Sequence, residues 1–583
     1  MSLIIKRRAA QNELHLADIS NPVLRRVLHA RPVTSSDDLE LPIKGLLSPD
    51  RLLGMETGIT LLVKHLHAGT RILIVADFDA DGATSCALSI LALTAMGFRH
   101  VDYIVPNRFE YGYGLTPEIV ELARSKKPDL IITVDNGISS IEGVDAARSY
   151  GIEVMITDHH LPGARVPEAD AIVNPNQPGC EFESKNLAGV GVIFYVMLAL
   201  RARLRDLGWF AEQHITEPNL ASLLDLVALG TVADVVPLDR NNRILVKEGL
   251  RRIRGGQARP GIKALIQVGK RNAQRLGEAD LGFAVGPRLN AAGRLEDMSL
   301  GIECLLSESA ADAYSMALEL DALNSDRKQI EQQMQIDALA ALGEVELDAD
   351  DLPAVICLYS ENWHQGVVGI LASRIKEKFH RPVIAFADEG DEAGAQIKGS
   401  ARSITGFHIR DALDVVASRH PGLINKFGGH AMAAGLSIAR DKLESFRNSL
   451  TDYATSQLGS EQLQARVLTD GAVAEEEFNL DTARILVQAG PWGQGFPEPT
   501  FDGEFQLQEV RIVAELHYKL TVLPAGGDKT LDAIAFNLVN EVDLEPGMSV
   551  RLVYRMGVNE FRGCESLQLT VEHVQVLSEA SRR

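Results

Sequence analysis

The amino-acid sequence predicts an α/β fold: a mostly parallel-sheet domain, a long helical segment, a second α/β domain and a C-terminal all-β module. Three observations predict it. Short apolar runs, Ile72 to Ala76, Val101 to Val105, Leu130 to Val134 and Val154 to Thr157, alternate with helix-like segments, the pattern of parallel strands buried on both faces. From Ile302 to Leu342 there is neither Gly nor Pro, and Ala, Leu, Glu, Gln and Met abound. These are good helix formers, so the stretch reads as one long helix or two. Beyond about Gln462, strand-like runs are separated by Gly, Asn and Asp turns, the texture of a small barrel.

In chain order, residues 1–50 are mixed in character, broken by Pro32, Pro42 and Pro49, and read as a lead-in. Residues 51–301 carry the first α/β pattern, with a helix expected from Thr84 to Met96 and further helical segments at Leu220 to Leu229 and Val246 to Ile253. The helical connector fills 302–345. After the acidic turn Glu344 to Asp351, Ala354 to Leu358 opens the second α/β domain, 346–460. The β module, 461–583, has strand-like runs at Phe501 to Val513, Lys519 to Val522, Val550 to Tyr554 and Ser566 to Val571.

Composition narrows the class. The chain has 583 residues, 46% hydrophobic and 23% charged, which excludes a disordered, collagenous or coiled-coil fibre protein. Its five cysteines, Cys86, Cys180, Cys304, Cys357 and Cys564, are far apart, so neither a disulfide framework nor a zinc ribbon is expected. No run of about 20 apolar residues appears and the N-terminus lacks a signal-peptide core. A soluble, cytoplasmic protein with no membrane partner is the expectation. Acids outnumber bases, 79 to 58, for a net charge of −21, which taken alone argues against a general nucleic-acid coating protein.

The strongest local signal is Val75-Ala76-Asp77-Phe78-Asp79-Ala80-Asp81-Gly82. Side chains two apart on an extended chain share a face, so Asp77, Asp79 and Asp81 are expected to converge at a strand's carboxyl end. Two further strands end in Asp135-Asn136-Gly137 and Asp158-His159-His160. Carboxyl ends of strands form the ligand crevice of open α/β sheets, and so many close anions repel unless cations sit among them. An EF-hand loop also begins D-x-D-x-D-G, but its twelfth position here is Leu88 where a bidentate Glu is needed. Helix capping would account for a single strand-end Asp; it does not account for three such strands and a His-His pair. Mixed carboxylate and imidazole ligands suit Mn²⁺ or Mg²⁺ better than zinc. Two ions roughly 3.5–4 Å apart would serve in-line displacement at phosphorus. A phosphoester or phosphoanhydride hydrolase follows from these residues.

At Asp158-His159-His160 the chain resembles the DHH phosphoesterase superfamily, with Gly230-Thr231-Val232-Ala233-Asp234 similar to its fourth motif. The second α/β domain resembles the associated DHHA1 domain at Trp363 to Ile370, Gly399 to Ser403 and Gly428 to Gly435. Val105 to Gly114, Gly286-Pro287-Arg288-Leu289-Asn290-Ala291-Ala292-Gly293-Arg294 and the tail around Asn559, Gly563 and Leu567 to Leu569 are most similar to the RecJ-type single-strand-specific exonucleases. The resemblance implies metal ligands at Asp77, Asp79, Asp81, Asp135, His159 and Asp234, with Asp135 bridging. It implies that His160 meets the scissile phosphate and that Asp158 orients its neighbours.

The resemblance further implies a 5′→3′ exonuclease of single-stranded DNA that releases 5′-mononucleotides in DNA repair and recombination, using two divalent ions, Mn²⁺ or Mg²⁺. Its partners would be 5′-phosphorylated single strands, with a single-strand-binding protein and a helicase as candidates. Arg108, Arg288 and Ser373 look like the group that holds the 5′-phosphate; with the DHHA1 resemblance, Arg402 with Ser400, and His430 after Gly428-Gly429, are candidate further phosphate contacts. The β module is similar to an OB nucleic-acid-binding fold, with His517, Lys519 and Arg562 as candidate contacts. Trp363, Phe427 and Tyr111 fit core packing as well as base stacking. A basic strip between the two α/β domains is expected to offset the overall negative charge. Two alternatives stand: a DHH phosphodiesterase of short oligonucleotides or cyclic dinucleotides (or a pyrophosphatase), and a non-catalytic single-strand-binding replication scaffold.

Overall fold

Every residue of β1 (Ile72–Ala76) is buried, so the run forms a central strand with no polar face to spare. It lies in a wholly parallel sheet with β2 (Val101–Ile104), β3 (Leu130–Val134), β4 (Glu153–Thr157) and β5 (Ala171–Val173), in the order β2-β1-β3-β4-β5. Helix α1 (Ala80–Ala95), which leaves β1, is buried along most of its length by α2 (Gly189–Asp206) and α3 (Leu224–Ala233). Next come α4 (Arg240–Arg254) and α5 (Gly286–Leu295), the latter preceded by a π-helical turn at Leu281–Val285.

The computed structural model describes residues 3–10, 16, 19–107, 111, 113–343, 352–389 and 396–577. The chain divides into two units, Arg7–Asp321 with Leu468–Arg583, and Met1–Lys6 with Ala322–Val467. The expected helical stretch is two helices, Ser299–Leu306 and α6 (Ala310–Gly343). They part at Ser307-Glu308-Ser309, where Ser309 accepts a hydrogen bond from the Asp312 amide and so starts a new helix. The acidic turn at 344–351 lies outside the described residues.

In the unit of 322–467, β6 (Ile356–Tyr359) is followed by α7 (Val368–Phe379), β7 (Val383–Asp388), β8 (Gln396–Arg402), β9 (Lys426–Gly429) and β10 (Ala433–Ala439). The sheet order is β9-β10-β8-β7-β6, with only β6 and β7 parallel. Phe386, Phe407, Ile438, Phe446 and Leu450 fill its core.

The C-terminal strands β11 (Phe501–Val513), β12 (His517–Pro524), β13 (Leu531–Ala535), β14 (Ser549–Phe561) and β15 (Cys564–Val576) close into a barrel in the order β11-β12-β13-β15-β14. β13 is absent from the sequence reading: it is five residues long, and the exposed Asp532 breaks its apolar character. Among the described residues no helix is long and apolar enough to cross a membrane.

The lead-in has a structural role that its composition hides. Arg31 is fully buried and forks onto Asp470, Nη1 to Oδ1 at 2.8 Å and Nη2 to Oδ2 at 3.0 Å, while its Nε donates to the Pro497 carbonyl at 2.8 Å. Removing Arg31 strips Asp470 of its bidentate partner and leaves it only Arg8 Nη1 (3.0 Å) and the Thr500 amide (3.0 Å), both on Oδ2. Arg31→Met is therefore expected to destabilise this unit by about 3–5 kcal/mol, read as a lower urea midpoint. A shift under about 0.5 kcal/mol would mean that the Asp470 charge is stabilised without Arg31.

Candidate metal centre

The three acid-bearing strand ends meet because β1, β3 and β4 are neighbours. Asn136 straps two of them: its Nδ2 donates to the carbonyls of Val75 (3.1 Å) and Val134 (2.9 Å). Asp135, just before it, adopts φ +62° and donates its backbone N–H to Thr157 O at 3.0 Å. This left-handed conformation is costly for a non-glycine residue and is over-determined here by those bonds.

The route by which Asp77, Asp79 and Asp81 come together differs from the expected one. The extended chain ends at Asp79, which N-caps α1 by accepting from the amides of Asp81 (2.9 Å) and Gly82 (3.0 Å). Alternation along a strand therefore does not orient Asp81, which belongs to the first helical turn. Its two oxygens accept from the first amides of α2, Gly189 N at 2.6 Å and Val190 N at 2.9 Å. The positive end of an 18-residue helix thus faces this carboxylate.

His159 Nε2 lies 3.1 Å from Asp135 Oδ1, 3.4 Å from Asp234 Oδ2 and 4.0 Å from Asp81 Oδ2. Ligand atoms within 4.8 Å of one another form three groups: Asp77, Asp79 and Asp135; Asp81, His159 and Asp234; and Asp135, His159 and His160. Asp158 lies behind them. Its Oδ1 accepts from the amides of His159 (2.7 Å) and His160 (3.1 Å) and from His160 Nδ1 (2.8 Å), and its Oδ2 from Ile138 N (2.9 Å).

Electrostatics show what the cage lacks. Burial, then the Asp79 charge, push Asp81 up to about 7 against the two helix amides. Burial and the surrounding carboxylates hold Asp135 and Asp234 well above the usual carboxylate range. Among the described residues no lysine or arginine pairs with Asp81, Asp135 or Asp234, and the buried Oδ1 of Asp135 accepts no hydrogen bond. A buried oxygen without a donor, within a hard-oxygen and imidazole donor set, fits divalent cations such as Mn²⁺ or Mg²⁺. Burial alone would lower His160; its hydrogen bond to Asp158 and the charges of Asp158, Asp234 and Asp77 instead raise it to about 9. Burial would raise Asp158, but the hydrogen bond and charge of His160, with the Ile138 amide and the His159 charge, together lower the acid.

A carboxylate whose pKa is raised by folding stabilises the fold while protonated and weakens it as pH rises through the raised value. The metal-free protein should therefore lose stability as pH climbs from about 4 toward and past 7, and divalent ions should restore it. Thermal melts at pH 5.5 and 8.0 test this: the Mn²⁺-induced rise in Tm should be larger at pH 8.0. An equal rise at both would mean that the ions do not displace protons from these acids.

Sequence reasoning passed over three contributors to the cage. Tyr113, within the Val105 to Gly114 stretch, donates its hydroxyl to Asp135 O at 3.2 Å and lies equally close to His160 Nδ1. Asn290 Oδ1, on α5, accepts from Ala80 N at 2.7 Å. The Gly189 and Val190 amides hold Asp81. The Gly-Val-Gly-Val start of an apolar helix, residues 189–192, is the one legible signal for the last of these.

The expected phosphate contacts fall in three places. Arg108 lies outside the described residues. Arg288, on α5, donates to Ala284 O and pairs through Nη2 with Asp321 Oδ1 at 2.7 Å. Ser373, Arg402 and His430 lie in the other unit. There Ser373 Oγ donates to Gly369 O (3.1 Å), Arg402 Nη1 donates to Ser400 Oγ (3.0 Å), and Arg402 pairs in register with Ala433, whose carbonyl accepts from His430 N (2.7 Å). Trp363 is buried, and Phe427 and Tyr111 pack against apolar cores, so the packing reading holds for all three. In the barrel, Lys519 pairs across strands with Arg511, His517 lies edge-on to the exposed Phe536, and Arg562 lies at the β14–β15 turn over Phe561.

Comparison with known proteins identifies the class and then the family. Residues 71–231 match the DHH family N-terminal domain, 352–456 the DHHA1 domain and 469–573 the RecJ OB domain. The chain is 54% identical over 571 residues to the single-stranded-DNA-specific exonuclease RecJ of Escherichia coli, covering 98% of each chain. It is 32% identical over 532 residues to that of Bacillus subtilis, covering 91% of this chain and 64% of the relative. It is similar in structure to Thermus thermophilus RecJ in complex with Mn²⁺, with a TM-score of 0.79 and 28% identity over 98% of this chain and 78% of that one. The chain belongs to the RecJ family of single-stranded-DNA-specific exonucleases.

Proposed function

We propose that this protein is a metal-dependent exonuclease that degrades single-stranded DNA 5′→3′ to 5′-mononucleotides. The observation that carries the reading is the shared cage, in which Asp135 belongs to two of the three ligand groups and His159 to two. Two Mn²⁺ or Mg²⁺ ions held by Asp77, Asp79, Asp81, Asp135, His159 and Asp234 would supply an activated water and offset charge at the phosphorus. The chain's own groups do the rest. Asp158 keeps His160 charged and aimed through the 2.8 Å bond, so a cation faces the phosphate oxygen as charge develops there. Asn136 and the α2 amides fix Asp135 and Asp81, so the cage needs little rearrangement to work.

A polyanionic substrate is supported by local charge. Residues 240–275 hold eleven Lys and Arg and one acid, in a chain of net charge −21. Lys247, Lys263 and Lys270 are exposed, and Arg254 and Arg259 bond to main-chain carbonyls. We assign Arg108 and Arg288 in one unit, and Ser373, Arg402 and His430 in the other, to substrate phosphates. The proposed setting is cytoplasmic DNA repair and recombination, with a single-strand-binding protein and a helicase as partners.

The test compares four substrates with Mn²⁺ present: a long 5′-phosphorylated single strand, its blunt duplex, a dinucleotide and pyrophosphate. The single strand should be consumed at least tenfold faster than the others and yield 5′-mononucleotides. Preferred use of the dinucleotide or pyrophosphate would favour a short-substrate phosphodiesterase or a pyrophosphatase instead.

A further inference from the structure

Asp234 is the one cage member carried at the end of a helix and not at or shortly after the end of a strand. It ends α3, and the chain then passes through Val235, at φ +60° and 64% exposed, before Asp239 caps α4. Asn242 Nδ2 donates to Pro237 O at 3.0 Å and Ser184 Oγ to Asp239 Oδ2 at 2.7 Å, and a further hold comes from far along the chain. Residues 493–496 form a tight turn closed by two bonds, Gly493 N to Phe496 O at 2.9 Å and Phe496 N to Gly493 O at 3.1 Å. That turn presents the Gln494 carbonyl to Leu238 N at 2.7 Å. Gly495, at φ +72°, lies so close that a Cβ there would be 3.2 Å from Pro237 Cβ.

The turn is itself firmly held. Trp492 stacks on Phe496 with ring centres 5.0 Å apart, and the buried Arg243 guanidinium covers Phe496 at 3.8 Å. Trp492 N donates to Glu278 Oε1 at 3.1 Å, and Trp492 Nε1 to Leu486 O at 2.9 Å. The Arg31–Asp470 pair, through Pro497 O, anchors the far end.

From this geometry we propose that the Trp492–Phe496 turn, which leads into the β-barrel, is a brace that positions Asp234 and thereby sets the affinity of the cage for divalent ions. The residues are positioning residues: none touches the cage, and they act on it through Pro237 and Leu238. The proposal rests on the two-ion reading above and goes beyond it by assigning part of the metal site's geometry to the module that follows it in sequence.

The test measures Mn²⁺ binding to the full-length protein by the loss of free-ion electron paramagnetic resonance signal, without DNA. Gly495→Val should raise the Mn²⁺ dissociation constant about tenfold, with excess Mn²⁺ recovering most of kcat. Gly526→Val is the control: Gly526 has the same kind of backbone (φ +79°), but nothing lies within 4 Å of its Cβ position, so Mn²⁺ binding should not change. If Gly495→Val folds poorly, Arg243→Lys provides the second variant. It keeps the charge, loses the flat stack on Phe496, and should weaken Mn²⁺ binding by a smaller factor. Parental Mn²⁺ affinity in a folded Gly495→Val or Arg243→Lys protein, or equal weakening in Gly526→Val, overturns the brace. Parental affinity in Asp135→Ala would instead overturn the two-ion reading.

Discussion

Replacing Asp135 with alanine will abolish hydrolysis while single strands still bind. Asp135 is the carboxylate common to two ligand groups, is almost fully buried, and presents an oxygen with no hydrogen-bond donor. Its loss removes the shared member of the cage, where catalysis depends most on charge placement, so kcat should fall by roughly 10³-fold or more. DNA affinity should drop far less, because the residues we assign to substrate phosphates lie elsewhere on the chain. The check is single-turnover cleavage of a 5′-labelled strand beside a filter-binding isotherm. Cleavage at the parental rate would show that the cage is misassigned.

The second large effect is expected at Gly293, far from the acids in sequence. A Cβ there would sit 1.8 Å from the Phe78 carbonyl oxygen and 2.9 Å from its carbon, well inside any tolerable contact. The absence of a side chain lets α5 lie directly on the loop that carries Asp77 and Asp79, and lets Asn290 accept from Ala80 N. Gly293→Ala must push α5 and that loop apart by an ångström or more. A misplacement of that size costs about 10²-fold in rate. We expect kcat/KM to fall by about that factor, with a raised Mn²⁺ requirement and little change in far-ultraviolet circular dichroism. A value within threefold of the parent would mean that the loop moves without consequence.

These two positions illustrate what the sequence makes legible. The acids from Asp77 to Asp158 and the two histidines were readable because they follow apolar runs, and β1, β3 and β4 lie where those runs predict; Asp234 was legible only through the family resemblance. What holds them was not readable. Asn136 strapping two carbonyls, the α2 amides on Asp81 and the Tyr113 hydroxyl on Asp135 O are contacts across the fold, and residue type alone does not reveal them. The alternation argument failed at Asp81 because a helix cap at Asp79 overrides strand geometry. The lead-in reads as mixed because prolines break it up, and the burial of Arg31 depends on Asp470 and Pro497, more than 400 residues away. The brace at Trp492 was hidden for the same reason: a glycine-rich turn carries no signal of what it presses against.

The most direct test of the whole account is an anomalous-difference map from crystals of this protein grown with Mn²⁺. Two peaks should appear within the cage of Asp77, Asp79, Asp81, Asp135, His159 and Asp234, with Asp135 contacting both. A map with no peak there, or with manganese bound only by other residues, would contradict it.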